Sequence, residues 1–162
     1  VESGDYTKGG DRNVQMLSGE YEHKLDAKGR LIMPLKIRSE LGESFMVTKG
    51  IDCCLYVYGM TEWEEFVEKL NKLPMTNRTA RAFKRGFLAG AVKCEPDAQG
   101  RILLTPKQRE YAHIDKEVYV IGNGEKAEIW SKEEWDGPEN ISDNQASMDE
   151  LADELDALDF SF

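Results

Sequence analysis

Two five-residue stretches, DAKGR at 26–30 and DAQGR at 97–101, set an acid, a glycine and an arginine at one spacing twice in the chain. An aspartate carboxylate accepts backbone N–H groups a few residues on, and glycine supplies a positive φ. Asp26, Gly29, Asp97 and Gly100 are therefore expected to shape two tight turns. A turn on its own has no need of cations at its tip. Arg30 and Arg101, joined by Lys28 in the first copy, are therefore read as working side chains and not as parts of the turn alone.

Paired aspartates could instead be a catalytic dyad sharing one proton. Lys28, Arg30 and Arg101 alongside would hold both carboxylates ionised and spoil a general acid. The ligand positions of an EF-hand are missing, and so is any glycine-rich phosphate loop; GNG at 122–124 reads as a hairpin turn. His23 and His113 are the only histidines, and neither has the company a metal or nucleophile site needs. No catalytic residue, metal centre, cofactor or small-molecule substrate is expected.

The elements that must hold the two turns are themselves duplicated. At an offset of 71, residues 19–41 match 90–112 at seven of 23 positions, including Lys36/Lys107 and Arg38/Arg109; average composition gives roughly one or two. One inserted residue shifts the offset to 72 and pairs Gly50/Gly122, Val57/Ile129, Tyr58/Trp130, Glu62/Glu134 and Trp63/Trp135. Two copies are too few for a solenoid, so a clasped pair about a pseudo-two-fold axis is expected.

Each copy reads strand, turn, strand, then a short helix opened near a proline (Pro34, or Thr105–Pro106), then a hairpin. The hairpin turns are placed at IDCC and at Gly-Asn-Gly. Capping boxes are expected at Thr61/Glu64 and Ser131/Glu134. TEWEEFVEKLNKL forms a helix with Trp63, Phe66, Val67 and Leu70 on one face, stopped by Pro74. TNRTARAFKRGFLAGA forms a basic one with Ala80, Phe83, Phe87 and Leu88 on its apolar side. Arg78, Arg81, Lys84 and Arg85 make this a solvated face, a phosphate-contacting face or a subunit interface. Trp63, Trp130 and Trp135 are assigned to the core.

The formal net charge is −10, but it is concentrated. Glu133 to Phe162 hold eleven acids and no Lys or Arg, whereas residues 16–132 hold 17 acids and 19 bases, a net of +2. A nucleic-acid partner is compatible with that balance. The expected organisation is an extension or tag at 1–15, a first repeat with its helix at 16–75, a basic linker helix and second repeat at 76–138, and an acidic tail at 139–162. In the tail Met148, Leu151, Leu155 and Leu158 recur at helical spacing. Four apolar residues seldom hold a short acidic helix down, so a mobile tail is expected. Cys53, Cys54 and Cys94 fit neither a disulfide framework nor a zinc site. With no apolar run long enough to span a membrane and no signal-peptide layout, a cytoplasmic location is expected.

GEYEHKLDAKGRLIMPLKIR, DAQGRILLTPKQRE and IWSKEEW together closely resemble the MraZ family, over most of the chain from Met16 to about Trp135. This bacterial regulator is encoded at the head of the division and cell-wall gene cluster and is related to AbrB-type swapped-hairpin DNA-binding proteins. The resemblance implies an α+β fold: a pseudo-two-fold split β-barrel with peripheral helices. It also implies a homo-oligomeric ring, association with the nucleoid, and transcriptional regulation through repeated double-stranded DNA boxes in its own promoter. The family carries its DNA contacts on the DxxGR turns, which correspond here to Asp26, Lys28, Gly29 and Arg30, and to Asp97, Gln99, Gly100 and Arg101. Gln99 in place of Lys28 makes the second turn the weaker phosphate site. A non-catalytic interaction or antitoxin-like module on the same fold is the alternative.

Overall fold

The computed structural model describes residues 15–137 and 146–159. Its strands are β1 (Glu20–Lys24), β2 (Arg30–Ile32), β3 (Phe45–Lys49), β4 (Leu55–Gly59), β5 (Val92–Cys94), β6 (Arg101–Leu103), β7 (Glu117–Asn123) and β8 (Lys126–Ser131). The helices are α1 (Leu35–Leu41), α2 (Met60–Asn71), α3 (Arg78–Ala89), α4 (Pro106–Tyr111), α5 (Lys132–Asp136) and α6 (Met148–Asp156). The fold is mixed α and β with antiparallel sheets.

Six strands form one sheet in the order β1-β7-β8-β4-β3-β5, and β2 pairs with β6 in a separate two-stranded ribbon. The order is unchanged when each strand is exchanged for its counterpart in the other repeat and the list reversed. Two self-related pairs mark the axis: Leu31 opposite Ile102 in the ribbon, and Tyr56 opposite Glu128 where β4 meets β8. The first pair is separated by 71 residues and the second by 72, the two offsets of the sequence repeat. The described strands make an open sheet, not a closed barrel.

The strand–turn–strand units differ from hairpins. β1 leaves its own turn to pair with β7, and β5 pairs with β3, so the first strand of each repeat lies against the other repeat. The turns interlock as well: Met33 donates its N–H to the Gly100 carbonyl at 3.0 Å, and Leu104 donates to the Gly29 carbonyl at 3.1 Å. A three-residue strand cannot bury enough surface to pair stably alone. Exchange places Leu31, Met33, Ile102 and Leu104 in one shared core with Phe45, Val47, Leu55, Val57, Val118, Val120 and Ile129.

The hairpins β3–β4 and β7–β8 match expectation, with one shift. Asn123 pairs with Lys126, so the second turn is Gly124-Glu125 and not Gly-Asn-Gly. The Thr61/Glu64 capping box does not form. β4 runs directly into α2, making Gly59 the N-cap and leaving Thr61 already inside the first turn. Ser131 does cap α5 by accepting the Glu134 N–H, while the Glu134 carboxylate is turned toward His113 Nδ1 at 3.2 Å. Thr105 caps α4 as expected, in a full box with Gln108 and with Pro106 opening the helix.

α3 starts later than its pattern suggested, at Arg78, because Asn77 accepts the Ala80 N–H and caps it. α2 and α3 meet over an aromatic cluster in which Phe66 lies 4.9 Å from Tyr58 and 5.0 Å from Phe87. Trp63 and Trp130 are buried, but Trp135 is only half-buried. The three cysteines are free thiols; burial pushes the Cys94 thiol up to about 11. Of the expected N-terminal extension, residues 1–14 lie outside the described residues. Gln15 is tied to the fold, donating its side-chain amide to the Glu40 carbonyl at 2.6 Å.

Candidate nucleic-acid interface

Both DxxGR segments are tight turns built from the same bonds. Asp26 Oδ1 accepts the N–H of Lys28 and of Arg30, each at 2.9 Å, and Oδ2 accepts Arg30 Nε at 2.7 Å. Asp97 does the same for Gln99 and Arg101, at 2.9, 2.9 and 2.8 Å. The Arg30 N–H above all, with the Arg30 guanidinium and the Lys28 N–H, holds the Asp26 carboxyl below its ordinary value, outweighing the desolvation that opposes them. Arg101 and Gln99 act likewise on Asp97. Both aspartates are thus ionised structural acceptors, the opposite of what a proton-donating dyad requires.

The carboxylates also aim the arginines. Each tether occupies the ε nitrogen, so a paired grip on guanine O6 and N7 falls to the two terminal amino groups. Side-chain exposure is 32% for Arg30 and 27% for Arg101, leaving both reachable from solvent. Lys28 and Gln99 are exposed.

Gly29 and Gly100 have φ of 81° and 80°, which only glycine adopts without strain. They also admit a close neighbour from the opposite repeat. A Cβ on Gly100 would lie 2.6 Å from Arg38 Nη1, and one on Gly29 would lie 3.1 Å from Arg109 Cζ. Arg38 sits on α1 and Arg109 on α4, so each turn rests on the other repeat's arginine. Arg38 and Arg109 were visible among the seven identities of the repeat. Nothing in the linear order says that each crosses to the far turn.

The register assembles the turns into one surface. Arg30 lies opposite Leu103, and Ile32 lies opposite Arg101. Because side chains alternate along a strand, these four share the outer face of the ribbon while Leu31 and Ile102 point inward. Strand geometry sets the two arginines diagonally, roughly 8 Å apart at Cα. Ile32 and Leu103 are exposed at 47% and 53%. The sequence pattern marks Ile32 and Leu103 only as members of apolar runs. Their outward position follows from a cross-repeat pairing that the sequence does not display.

A protein-family model described as "MraZ protein, putative antitoxin-like" matches residues 16–86 and again residues 87–159. The chain belongs to the MraZ family. Among its relatives are proteins named transcriptional regulator MraZ. That of Thermoanaerobacter sp. strain X514 is 54% identical over 143 residues, 88% of this chain and 99% of the relative. The Caldanaerobacter subterraneus subsp. tengcongensis protein is 53% identical over 141 residues, covering 87% and 97%. The Carboxydothermus hydrogenoformans protein is 51% identical over 140 residues, covering 86% and 96%. The family match extends beyond Trp135, the end of the resemblance carried by the motifs, and includes α6.

Elsewhere the chemistry is sparse. Among the described residues no group of three or more His, Cys, Asp or Glu side chains could hold a metal ion. No helix there is long and apolar enough to cross a membrane.

Proposed function

We propose that the outer face of the β2–β6 ribbon reads double-stranded DNA, and that the protein regulates transcription without catalysing a reaction. One observation carries this reading. Two Asp-tethered arginines and two exposed aliphatic side chains form a checkerboard about the pseudo-two-fold axis. The combination matches what a major groove offers: guanine acceptors for arginine and thymine methyl groups for Ile32 and Leu103. The groove is about 12 Å wide and admits a two-stranded ribbon. Lys28 adds a phosphate contact at one end of the ribbon, and Gln99 supplies a neutral hydrogen-bonding group at the other. The names of the relatives support the regulatory role.

One protomer offers few contacts and a nearly neutral body, so tight binding requires several protomers engaging repeated boxes together. That motivates the finer form of the reading: a homo-oligomeric ring on repeats in the chain's own promoter, within the division and cell-wall gene cluster, in the cytoplasm at the nucleoid. The exchanged strands and interlocked turns support a swapped-hairpin architecture of the AbrB kind. The test is a mobility shift on the DNA upstream of the chain's own coding sequence, with a scrambled fragment as control. Retardation of the upstream fragment that survives excess scrambled competitor is expected. Equal retardation of both fragments contradicts sequence-specific reading and favours the interaction-module alternative.

A further inference from the structure

We propose that α6 of one copy docks on α3 of a second copy, its apolar stripe seated in the cleft beside α3. That cleft encloses about 310 Å³ and is lined by Met75, Arg81, Lys84, Arg85, Leu88 and Ala89. Its floor is apolar and its rim carries three cations. Met75 is 63% exposed, and Arg81 Nη1 donates to the Met75 carbonyl at 2.9 Å, which fixes the rim beside the end of α2.

α6 is the complementary shape. Met148, Leu151 and Leu155 lie along one side of it and Leu158 follows in the turn beyond its end, while Asp149, Glu150, Asp153, Glu154 and Asp156 flank them with no base in the helix. Ser147 and Glu150 close a capping box at its start, so the nine-residue helix has its own local stabilisation. That alone does not keep so short a helix formed in water; packing of its apolar side does. Two helix faces of opposite sign, each with uncovered apolar residues, satisfy each other's needs.

Other placements fit less well. A second apolar cleft lies on the far side of α3, against Ile51, Phe83 and Tyr111, but Lys49 is its only cation and Asp52 shares its rim. Within one chain the cleft and both ends of the stripe remain uncovered: Met148 and Leu158 are 79% and 74% exposed, Leu151 and Leu155 between them are half-buried, and Met75 stays exposed. The partner surface therefore belongs to another copy. Such a contact joins two different surfaces, each copy giving one α6 and receiving one, so it either closes reciprocally into a dimer or runs head-to-tail into rings or filaments. The inference rests on the preceding reading only in taking the protein to self-associate.

The test uses two full-length chains distinguishable by mass, both Cys53→Ser, one carrying Ala89→Cys and the other Ala152→Cys. After mixing without DNA, a short bismaleimide should join them into a heterodimer. Lys84→Glu with Arg85→Glu should cut that yield about tenfold, and Asp153→Lys with Glu154→Lys on the other chain should restore it. No heterodimer, a link formed only inside one chain carrying both cysteines, or preferential linking of Ala152→Cys to Leu103→Cys on the ribbon overturns the proposal. Sedimentation of the same samples separates the two readings. Oligomers without the α6–α3 link sink this contact alone, whereas monomers throughout sink self-association as well.

Discussion

The turns at 26–30 and 97–101 agree in every bond to the aspartate carboxylate to within about 0.1 Å and differ at their third residue, Lys28 against Gln99. They also differ in what supports them. Arg109 beneath the first turn donates Nε to the Leu104 carbonyl at 3.1 Å, while the buried Nε of Arg38 beneath the second has no acceptor among the described residues. The aspartate and glycine are therefore scaffold, which both copies share and which aims the arginine in each. Positions 28 and 99 hold the turn through their backbone N–H groups alone while their side chains are exposed, so contact chemistry can diverge there without disturbing the turn.

The largest effects should come from breaking what the turns share. Gly29→Ala and Gly100→Ala each force a side chain to positive φ, costing on the order of 1–2 kcal/mol of stability. The loss should be greater at Gly100, where the new Cβ meets the Arg38 guanidinium more closely. Urea unfolding checks this. Wild-type stability in either variant would show that its turn does not depend on glycine.

Exchanging what differs should have a smaller, signed effect. Lys28→Gln should flatten the dependence of log affinity on log salt by about 0.9 per box contacted, and Gln99→Lys should steepen it by a similar amount. Titrating binding across salt concentrations reads both. Slopes unchanged in either variant would place that position away from the phosphates.

The smallest effect concerns the carboxylates. Both aspartates titrate below their ordinary 3.8 in the folded protein. Their contribution to stability is therefore complete above that value and is lost as pH falls through the lower folded value. Carboxyl NMR titration should give midpoints below 3.8 for Asp26 and Asp97 alike. A midpoint at or above it for one aspartate would mean that its turn is open in solution.

Much of this arrangement could be read from the residues, and what could not has a common cause. Asp26, Gly29 and Arg30 announce a turn because their effects are local: a carboxylate reaching the next N–H groups, and a φ that only glycine tolerates. The repeat offsets of 71 and 72 likewise anticipated the two-fold relation, now seen at Leu31/Ile102 and Tyr56/Glu128. Partner choice is different. Nothing in EYEHK or VKC distinguishes pairing with the adjacent strand from pairing across repeats, since the alternation is the same either way. The same blindness hid Arg38 and Arg109, identical residues whose contacts with Gly100 and Gly29 lie 62 and 80 positions away in sequence. At Thr61 the cap signature was sound in composition, but a strand running straight into the helix had already supplied the start.

The central claim is that Arg30 and Arg101 share one reading face, and equilibrium DNA binding by Arg30→Ala, Arg101→Ala and the double variant tests it most directly. Measured at matched salt on the upstream fragment, each single change should cost on the order of 1–3 kcal/mol per engaged site, with the fold intact by circular dichroism. Arg30→Ala should be the more damaging, because Lys28 anchors its end of the ribbon, and the double variant should retain only salt-sensitive, non-specific affinity. Wild-type affinity in all three folded variants would mean that the turns serve the scaffold alone and that DNA, if bound, is held elsewhere.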